Sequence, residues 1–291
     1  MGERAGGSVT GRRWTATIQK SAAAVAVTAF FGWLSALEPT PEHAGPSVPV
    51  AVLRGEAAPR APERVPTPTP TPTPRVDCTR AKCVALTFDD GPAPGTAKLL
   101  NILARQNVKA TFFLIGRNVA THPDLVRREV AEGHEVANHS WSHADLGRAS
   151  VAKVEGELAR TQHAIRKAAH VTPVLMRPPY GSTDARVAGI ARRMKLAQVL
   201  WAVDPLDWRD RDTRLVERRV LKAVRPGMIV LLHDIHGTTV EAVSPIIERL
   251  RADGYTFVTV SQLFGRPLTP GEEYVELSDE HDRDGETAGS R

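Results

Sequence analysis

Between residues 84 and 260 the chain repeats one alternation, a short apolar run followed by an amphipathic helical stretch. The apolar runs are 84–88, 110–114, 134–137, 174–176, 197–203, 228–232 and 256–260. The helical patterns between them are 95–106, 123–132, 151–169, 184–195, 213–223 and 240–252. A strand that is apolar at successive positions has both faces covered, and strands alternating with helices pair in parallel beneath them. About seven such strands predict an α/β fold, a small distorted (β/α) barrel, with a doubly wound open sheet as the alternative.

The 291-residue chain does not carry this pattern throughout. Residues 1–37 read as a signal peptide or a membrane anchor. Arg4, Arg12, Arg13 and Lys20 precede an uncharged run, 21–37, at the short end of what spans a bilayer. No clean Ala-x-Ala cleavage site follows, so cleavage and retention both stay open. Residues 38–76 form a Pro-rich disordered linker holding eleven of the 22 prolines, ending in Pro66-Thr-Pro-Thr-Pro-Thr-Pro-Thr-Pro74. Proline fixes φ and removes amide donors, so this stretch favours polyproline II and acts as a spacer. Residues 77–270 are the globular domain. Residues 271–291, with eight acidic side chains and no apolar period, read as an acidic disordered tail.

The net charge of +5 is unevenly spread, since residues 77–270 carry 28 basic and 20 acidic side chains. A basic domain behind an export signal points to an anionic extracellular surface. Nucleic acid is not expected as a partner, because zinc-finger spacing, an aromatic RNA-binding pattern and a basic recognition helix are all missing from the sequence. The membrane is met only through the N-terminal segment, and a monomer is expected. Two cysteines, Cys78 and Cys83, exclude a disulfide framework and a Cys-only zinc site. Export favours a single disulfide between them.

Five of the strands end in a chemically competent residue. The first ends in Asp89-Asp90-Gly91-Pro92, the third at His139 with His143 four residues on, and the fourth at Arg177. The fifth leads to Asp204 and Asp207, and the sixth ends in His233-Asp234. In parallel β/α folds the carboxyl ends of the strands converge on one face, where sites form. Two adjacent carboxylates after a buried strand need a cation or an arginine to stay ionised; a helix N-cap explains one of them at most. His139 and His143 have the i, i+4 spacing that sets two imidazoles on one side of a helical turn, as metal ligands. One carboxylate with two imidazoles leaves coordination positions open, as catalytic zinc requires, and also suits non-haem iron oxygenases. Asp204 reads as structural, Asp234 as a solvent-facing turn residue, and Trp141 and Trp201 as packing residues.

Five segments, Thr87-Phe-Asp-Asp-Gly-Pro92, His139-Ser-Trp-Ser-His143, Arg177-Pro-Pro-Tyr-Gly181, Asp207-Trp208 and Leu231-Leu-His233, stand in order along residues 82–264. They resemble, in order and spacing, the five motifs of the polysaccharide deacetylases, also known as the NodB-homology domain or carbohydrate esterase family four. The resemblance implies a distorted β/α barrel and metal-dependent removal of acetyl groups from N-acetylated sugars. It implies Asp90, His139 and His143 as ligands of a divalent metal, zinc first with cobalt or nickel as alternatives. It makes Asp89 the general base and Arg177 the group that orients it. It gives Tyr180 a backbone N–H for the oxyanion and makes His233 the general acid with Asp207 beside it. Trp208 and Leu231 line the pocket for the acetyl methyl. These roles match what amide hydrolysis requires: an activated water, a stabilised oxyanion and a proton for the departing amine.

The expected partner is an N-acetylated cell-wall glycan, peptidoglycan or a chitin-like oligosaccharide, met outside the cell. Two alternatives stand beside it: an acetylxylan esterase acting on O-acetyl groups, and a catalytically silent domain that binds wall glycan.

Overall fold

The computed structural model describes residues 76–277. The signal or anchor reading of 1–37, the linker up to residue 75 and the tail beyond residue 277 lie outside them. A disulfide joins Cys78 to Cys83 and ties the entry loop to the first strand, β1 (Cys83–Asp89). Helix α1 (Pro94–Arg105), strand β2 (Thr111–Leu114), helices α2 (Gly116–Thr121) and α3 (Pro123–Ala131) and strand β3 (Glu135–Asn138) follow. Next come α4 (Val151–Ala169), β4 (Leu175–Met176), a 3-10 turn at Pro179–Gly181, α5 (Ala185–Arg193) and β5 (Ala197–Val199). The domain ends with α6 (Asp207–Asp210), α7 (Thr213–Ala223), β6 (Ile229–His233), α8 (Gly237–Ala252), β7 (Thr256–Phe257), α9 (Val260–Phe264) and β8 (Glu273–Tyr274).

The strands pair in parallel in the order β6-β1-β2-β3-β4-β5-β8, with β7 beside the start of β1. The sheet curls into the expected distorted barrel, and its ends are joined only by isolated bridges, Val203 with Val230 and Met228 with Glu276.

Alternation along the strands builds two layers and aims the site. On β1, Val84, Leu86 and Phe88 pack outward with Leu99 and Leu103 of α1 and Ile246 and Ile247 of α8. Cys83 and Ala85 pack inward with Phe113, Ala137, Leu175 and Ile229. The inward column turns polar toward the carboxyl end of each strand: Ala85, Thr87 and Asp89 on β1; Ile229, Leu231 and His233 on β6; Leu175 and then Arg177 after β4. At the other end α9 adds Val260, Leu263 and Phe264 to the inner cluster. Thr259 starts that helix by accepting from the Gln262 N–H, while the Gln262 side chain accepts from the Thr259 N–H.

Three expectations need correction. The run 256–260 is strand only to Phe257, because Thr259 caps α9. The run 197–203 ladders only over Ala197–Val199, because the chain then changes partners. Leu200 N–H donates to the Tyr274 carbonyl at 2.8 Å and Ala202 N–H to the Ile229 carbonyl at 3.0 Å. The tail does not begin at residue 271. Tyr274 is buried against the Phe264 ring, 5.2 Å away, and Leu277 N–H donates to the Gly227 carbonyl at 2.8 Å. A short edge strand exposes every second side chain, so the acidic composition of 271–277 conceals one inward tyrosine. Among the described residues no helix is long and apolar enough to cross a membrane.

Candidate active site

The carboxyl ends of the strands open into a cleft of about 410 Å³ lined by Asp89, Asp90, His139, His143, Tyr180, Trp201, Asp204, Trp208, Leu231 and His233. Arg177 and Asp207 stand fully buried behind it.

Asp90 leaves β1 with φ 73°, and its carbonyl accepts from the Asn118 side chain at 2.7 Å. Its Oδ1 lies 3.5 Å from His139 Nε2 and 3.3 Å from His143 Nε2. One ligand atom from each residue falls within 4.8 Å of the others. His139 Nδ1–H donates to the Arg177 carbonyl at 2.8 Å, so in the neutral ring Nε2 presents a bare lone pair. Asp90 Oδ1 is buried without a hydrogen-bond partner. Three acceptors converging in this way repel one another unless a cation stands between them, so the set fits a divalent metal. Burial opposes the charge of Asp90, but the facing His139, and the charges that His139, His143 and His233 carry when protonated, outweigh it and lower its pKa to about 2, so the carboxylate stays ionised. Burial, helped by the His139 charge, lowers that of His143 and favours the neutral ligand form.

The two histidines do not share a helical turn. They sit in a loop after β3 in which Ser140 and His143 adopt φ of 62° and 60°. Such left-handed conformations cost a non-glycine residue about 1–3 kcal/mol each. The loop is held against that strain at its backbone. Gly116 and Arg117 N–H, at the start of α2, donate to the Ser140 and Trp141 carbonyls at 2.9 and 3.1 Å. The backbone N–H and hydroxyl of Ser142 donate to the Glu157 carboxylate at 2.7 and 2.8 Å.

Arg177 is wholly buried, and each of its guanidinium nitrogens is hydrogen-bonded. Its guanidinium donates to Asp89 Oδ1 at 2.7 Å, the Thr87 hydroxyl at 2.8 Å, and the Val199 and Leu200 carbonyls at 3.0 and 2.9 Å. Asp89 Oδ1 is thereby fixed, while Oδ2 lies 3.6 Å from His139 Nε2. A free, oriented carboxylate oxygen beside the donor set has the geometry of a base.

His233 Nδ1–H donates to Asp207 Oδ1 at 2.8 Å. Asp207 Oδ2 accepts from the His233 N–H and the Thr239 hydroxyl, both at 2.8 Å. Burial works against a charged His233, but the Asp207 hydrogen bond and charge, with Asp89 and Asp90 behind them, raise its pKa to about 9. Nδ1 is occupied, so Nε2 is the nitrogen able to release a proton.

The sequence profile of polysaccharide deacetylase matches residues 76–199. A chitooligosaccharide deacetylase of Bradyrhizobium sp. (strain ANU 289) is 41% identical over 203 residues, covering 64% of this chain and 93% of that protein. The chain belongs to the polysaccharide deacetylase family. A peptidoglycan-N-acetylglucosamine deacetylase of Listeria monocytogenes is 41% identical over 199 residues, which are 68% of this chain but only 42% of that longer protein. The solved structure of a family four acetyl xylan esterase from Clostridium thermocellum, in complex with a cobalt ion, matches with a TM-score of 0.64 at 36% identity. It covers 67% of this chain and 99% of that one.

The remaining residues of the polysaccharide deacetylase motifs also reach the cleft. Tyr180 stands exposed in the 3-10 turn with φ 62°, and its hydroxyl lies 3.0 Å from His143 Nδ1. Nothing in the sequence points to that side-chain contact. Trp208 is half exposed, Leu231 is buried, and Trp201 lines the cleft while also packing on Gly181. Asp204 accepts from the Leu206 N–H at 2.7 Å, a turn contact, although it borders the cleft as well.

Asp234 is corrected: it is fully buried, not solvent-facing. It lies under Gly91, where a Cβ would come within 2.9 Å of its carboxylate, and it accepts from the Thr96 hydroxyl. Burial raises its pKa to about 7, with the charges of Asp90 and Asp89 adding to the effect. Glu157 belongs to none of the five motif segments. Its signal was a glutamate within the apolar stripe of α4, Val154, Leu158, Thr161 and Ile165, where a charge needs a fixed partner.

Proposed function

We propose that the chain is a metal-dependent hydrolase that removes N-acetyl groups from amino-sugar polysaccharides of the cell wall, peptidoglycan or chitin-like oligosaccharides. The observation that carries this reading is the cleft's combination of groups. It holds a donor set that calls for a cation, an arginine-anchored carboxylate and an aspartate-charged imidazole.

In this reading Asp90, His139 and His143 hold the metal, zinc first, with cobalt and nickel accepted by the same donors. A divalent ion there supplies Lewis acidity for the acetyl carbonyl and lowers the pKa of a bound water. Asp89 takes the proton of the attacking water on Oδ2, its other oxygen being tied to Arg177. The Tyr180 backbone N–H donates to the oxyanion, a contact typically worth about 3 kcal/mol. His233, kept cationic by Asp207, gives a proton to the departing nitrogen, which leaves as an amine. Leu231 and Trp208 surround the acetyl methyl. The export segment and proline-rich spacer deliver the domain to the wall outside the cell.

Acetate release from peptidoglycan stripped of O-acetyl groups, from chitooligomers and from acetylxylan tests the proposal, each with and without added Zn²⁺. Metal-dependent release from one of the first two is expected. Release from acetylxylan alone would instead favour the esterase reading, which the similarity to the Clostridium thermocellum esterase supports. A metal-loaded protein inert on all three is the signature of the silent wall-binding reading.

A further inference from the structure

We propose that Glu157, outside the cleft, is a positioning residue for His143 and sets the affinity of the site for its metal. The inference rests on the reading of Asp90, His139 and His143 as metal ligands.

The three candidate ligands are not equally restrained. Asp90 continues from β1 and has its carbonyl bonded to Asn118. His139 is almost fully buried, with Nδ1 bonded to the Arg177 carbonyl. His143 has a side chain 26% exposed, and its Nδ1 faces only the hydroxyl of Tyr180, itself an exposed residue. It also holds φ 60°, a region few non-glycine residues occupy. Its place therefore depends on the peptide that precedes it, that of Ser142.

Glu157 grips that residue at two points. Oε2 accepts from the Ser142 N–H at 2.7 Å and Oε1 from the Ser142 hydroxyl at 2.8 Å. Glu157 is 2% exposed on α4, a 19-residue helix whose neighbours Val154 and Leu158 are core, so it has little room to follow a moving loop. Lys153 Nζ, 2.8 Å from Oε1, caps it from the solvent side. A bidentate, charge-assisted bond from a rigid helix holds a ligand loop as outer-shell partners do, and their loss typically weakens metal binding about 10–100-fold.

The test is competition of the metal-stripped full chain against a chromophoric chelator for Zn²⁺, with thermal unfolding of the metal-free form alongside. Glu157→Leu keeps a side chain of similar size on the apolar stripe of α4 and removes both acceptors that face Ser142. It is expected to weaken Zn²⁺ binding by about 10–100-fold. Lys153→Met leaves both Ser142 bonds in place and is expected to bind as the wild type does. Unaltered affinity in Glu157→Leu overturns the proposal. So does an equal loss in Lys153→Met, which would mark a general effect of disturbing α4. Should Glu157→Leu fail to fold, Ser142→Ala, which removes the hydroxyl bond alone, decides: weaker binding supports the proposal and unchanged binding overturns it. Failure of the wild type to take up Zn²⁺ is a distinct result that overturns the metal-site reading and the proposal with it.

Discussion

Asp207 accepts four hydrogen bonds, two of them from His233, and the imidazole keeps its proton to about pH 9. The sign follows from the direction of the shift. A histidine raised from 6.5 to about 9 is charged in the fold at neutral pH, and the stability this gives is complete below about 6.5 and lost as pH rises through about 9. Asp89 and Asp90 contribute to that rise, so a cation that neutralises them takes part of it away. A proton donor at His233 should therefore give kcat/KM a basic limb set by Asp207. Asp207→Asn is expected to move that limb to lower pH by about two units, costing roughly tenfold at pH 8 and little at pH 6. A pH–rate profile on a chitooligomer checks it, and a limb that stays in place would remove His233 as the acid. Asp89→Asn tests whether Asp89 acts as base or as ligand. It should lower turnover by about 10²–10⁴-fold while Zn²⁺ content per chain, measured by elemental analysis, stays at the wild-type level. Loss of metal together with activity would instead place Asp89 among the ligands.

Strands and helices carry these residues to one place by parity. On β1 and β6 the side chains of Asp89 and His233 share the inward column with Ala85 and Ile229, so the apolar run that announces the strand also aims its last residue. That is why the barrel and the convergence of its strand ends were legible in the sequence, while the pairing of Arg177 with Asp89 was legible through the resemblance to the family motifs. Two kinds of feature were not. The loop from His139 to His143 suggests a helical turn by spacing alone, whereas left-handed residues and bonds to α2 and α4, far along the chain, decide its shape. Strand β8 hides in an acidic segment because its register depends on β5, and its burial on Phe264. The domain boundary is consequently testable at the scale of one element. Ending the chain after residue 277 should leave the melting temperature near that of the full protein. Ending it after residue 270 deletes β8 and uncovers Phe264; losing the Tyr274 ring alone is expected to cost about 3–5 kcal/mol. For a domain of this size that is a fall of roughly 6–20 °C. Equal melting of the two truncations would show that β8 adds nothing to the fold.

The whole molecule is basic, with a net charge of +5, yet its cleft gathers Asp89, Asp90 and Asp204, with Asp207 and Asp234 buried behind. Folding brings these carboxylates together at the ends of strands that are apolar along most of their length. Arg177 answers Asp89, and His233 answers Asp207. Asp90 has two imidazoles that are better ligands neutral than charged, so its balance is completed by a cation. Ligation would also join the end of β1 to the loop after β3 across β2, adding a link between segments that the sheet holds only through its backbone. Binding to the folded state alone stabilises by mass action, about 2.7 kcal/mol at a hundredfold excess over Kd. At about 2–4 °C per kcal/mol, the melting temperature of the chelator-treated protein should rise by roughly 5–11 °C on addition of Zn²⁺. The same titration on Asp90→Asn, whose amide keeps the shape but loses the charge, should give a much smaller rise. Melting that ignores both chelator and Zn²⁺ would mean that Asp90, His139 and His143 converge without holding an ion, and the base and acid beside them would have no centre to serve.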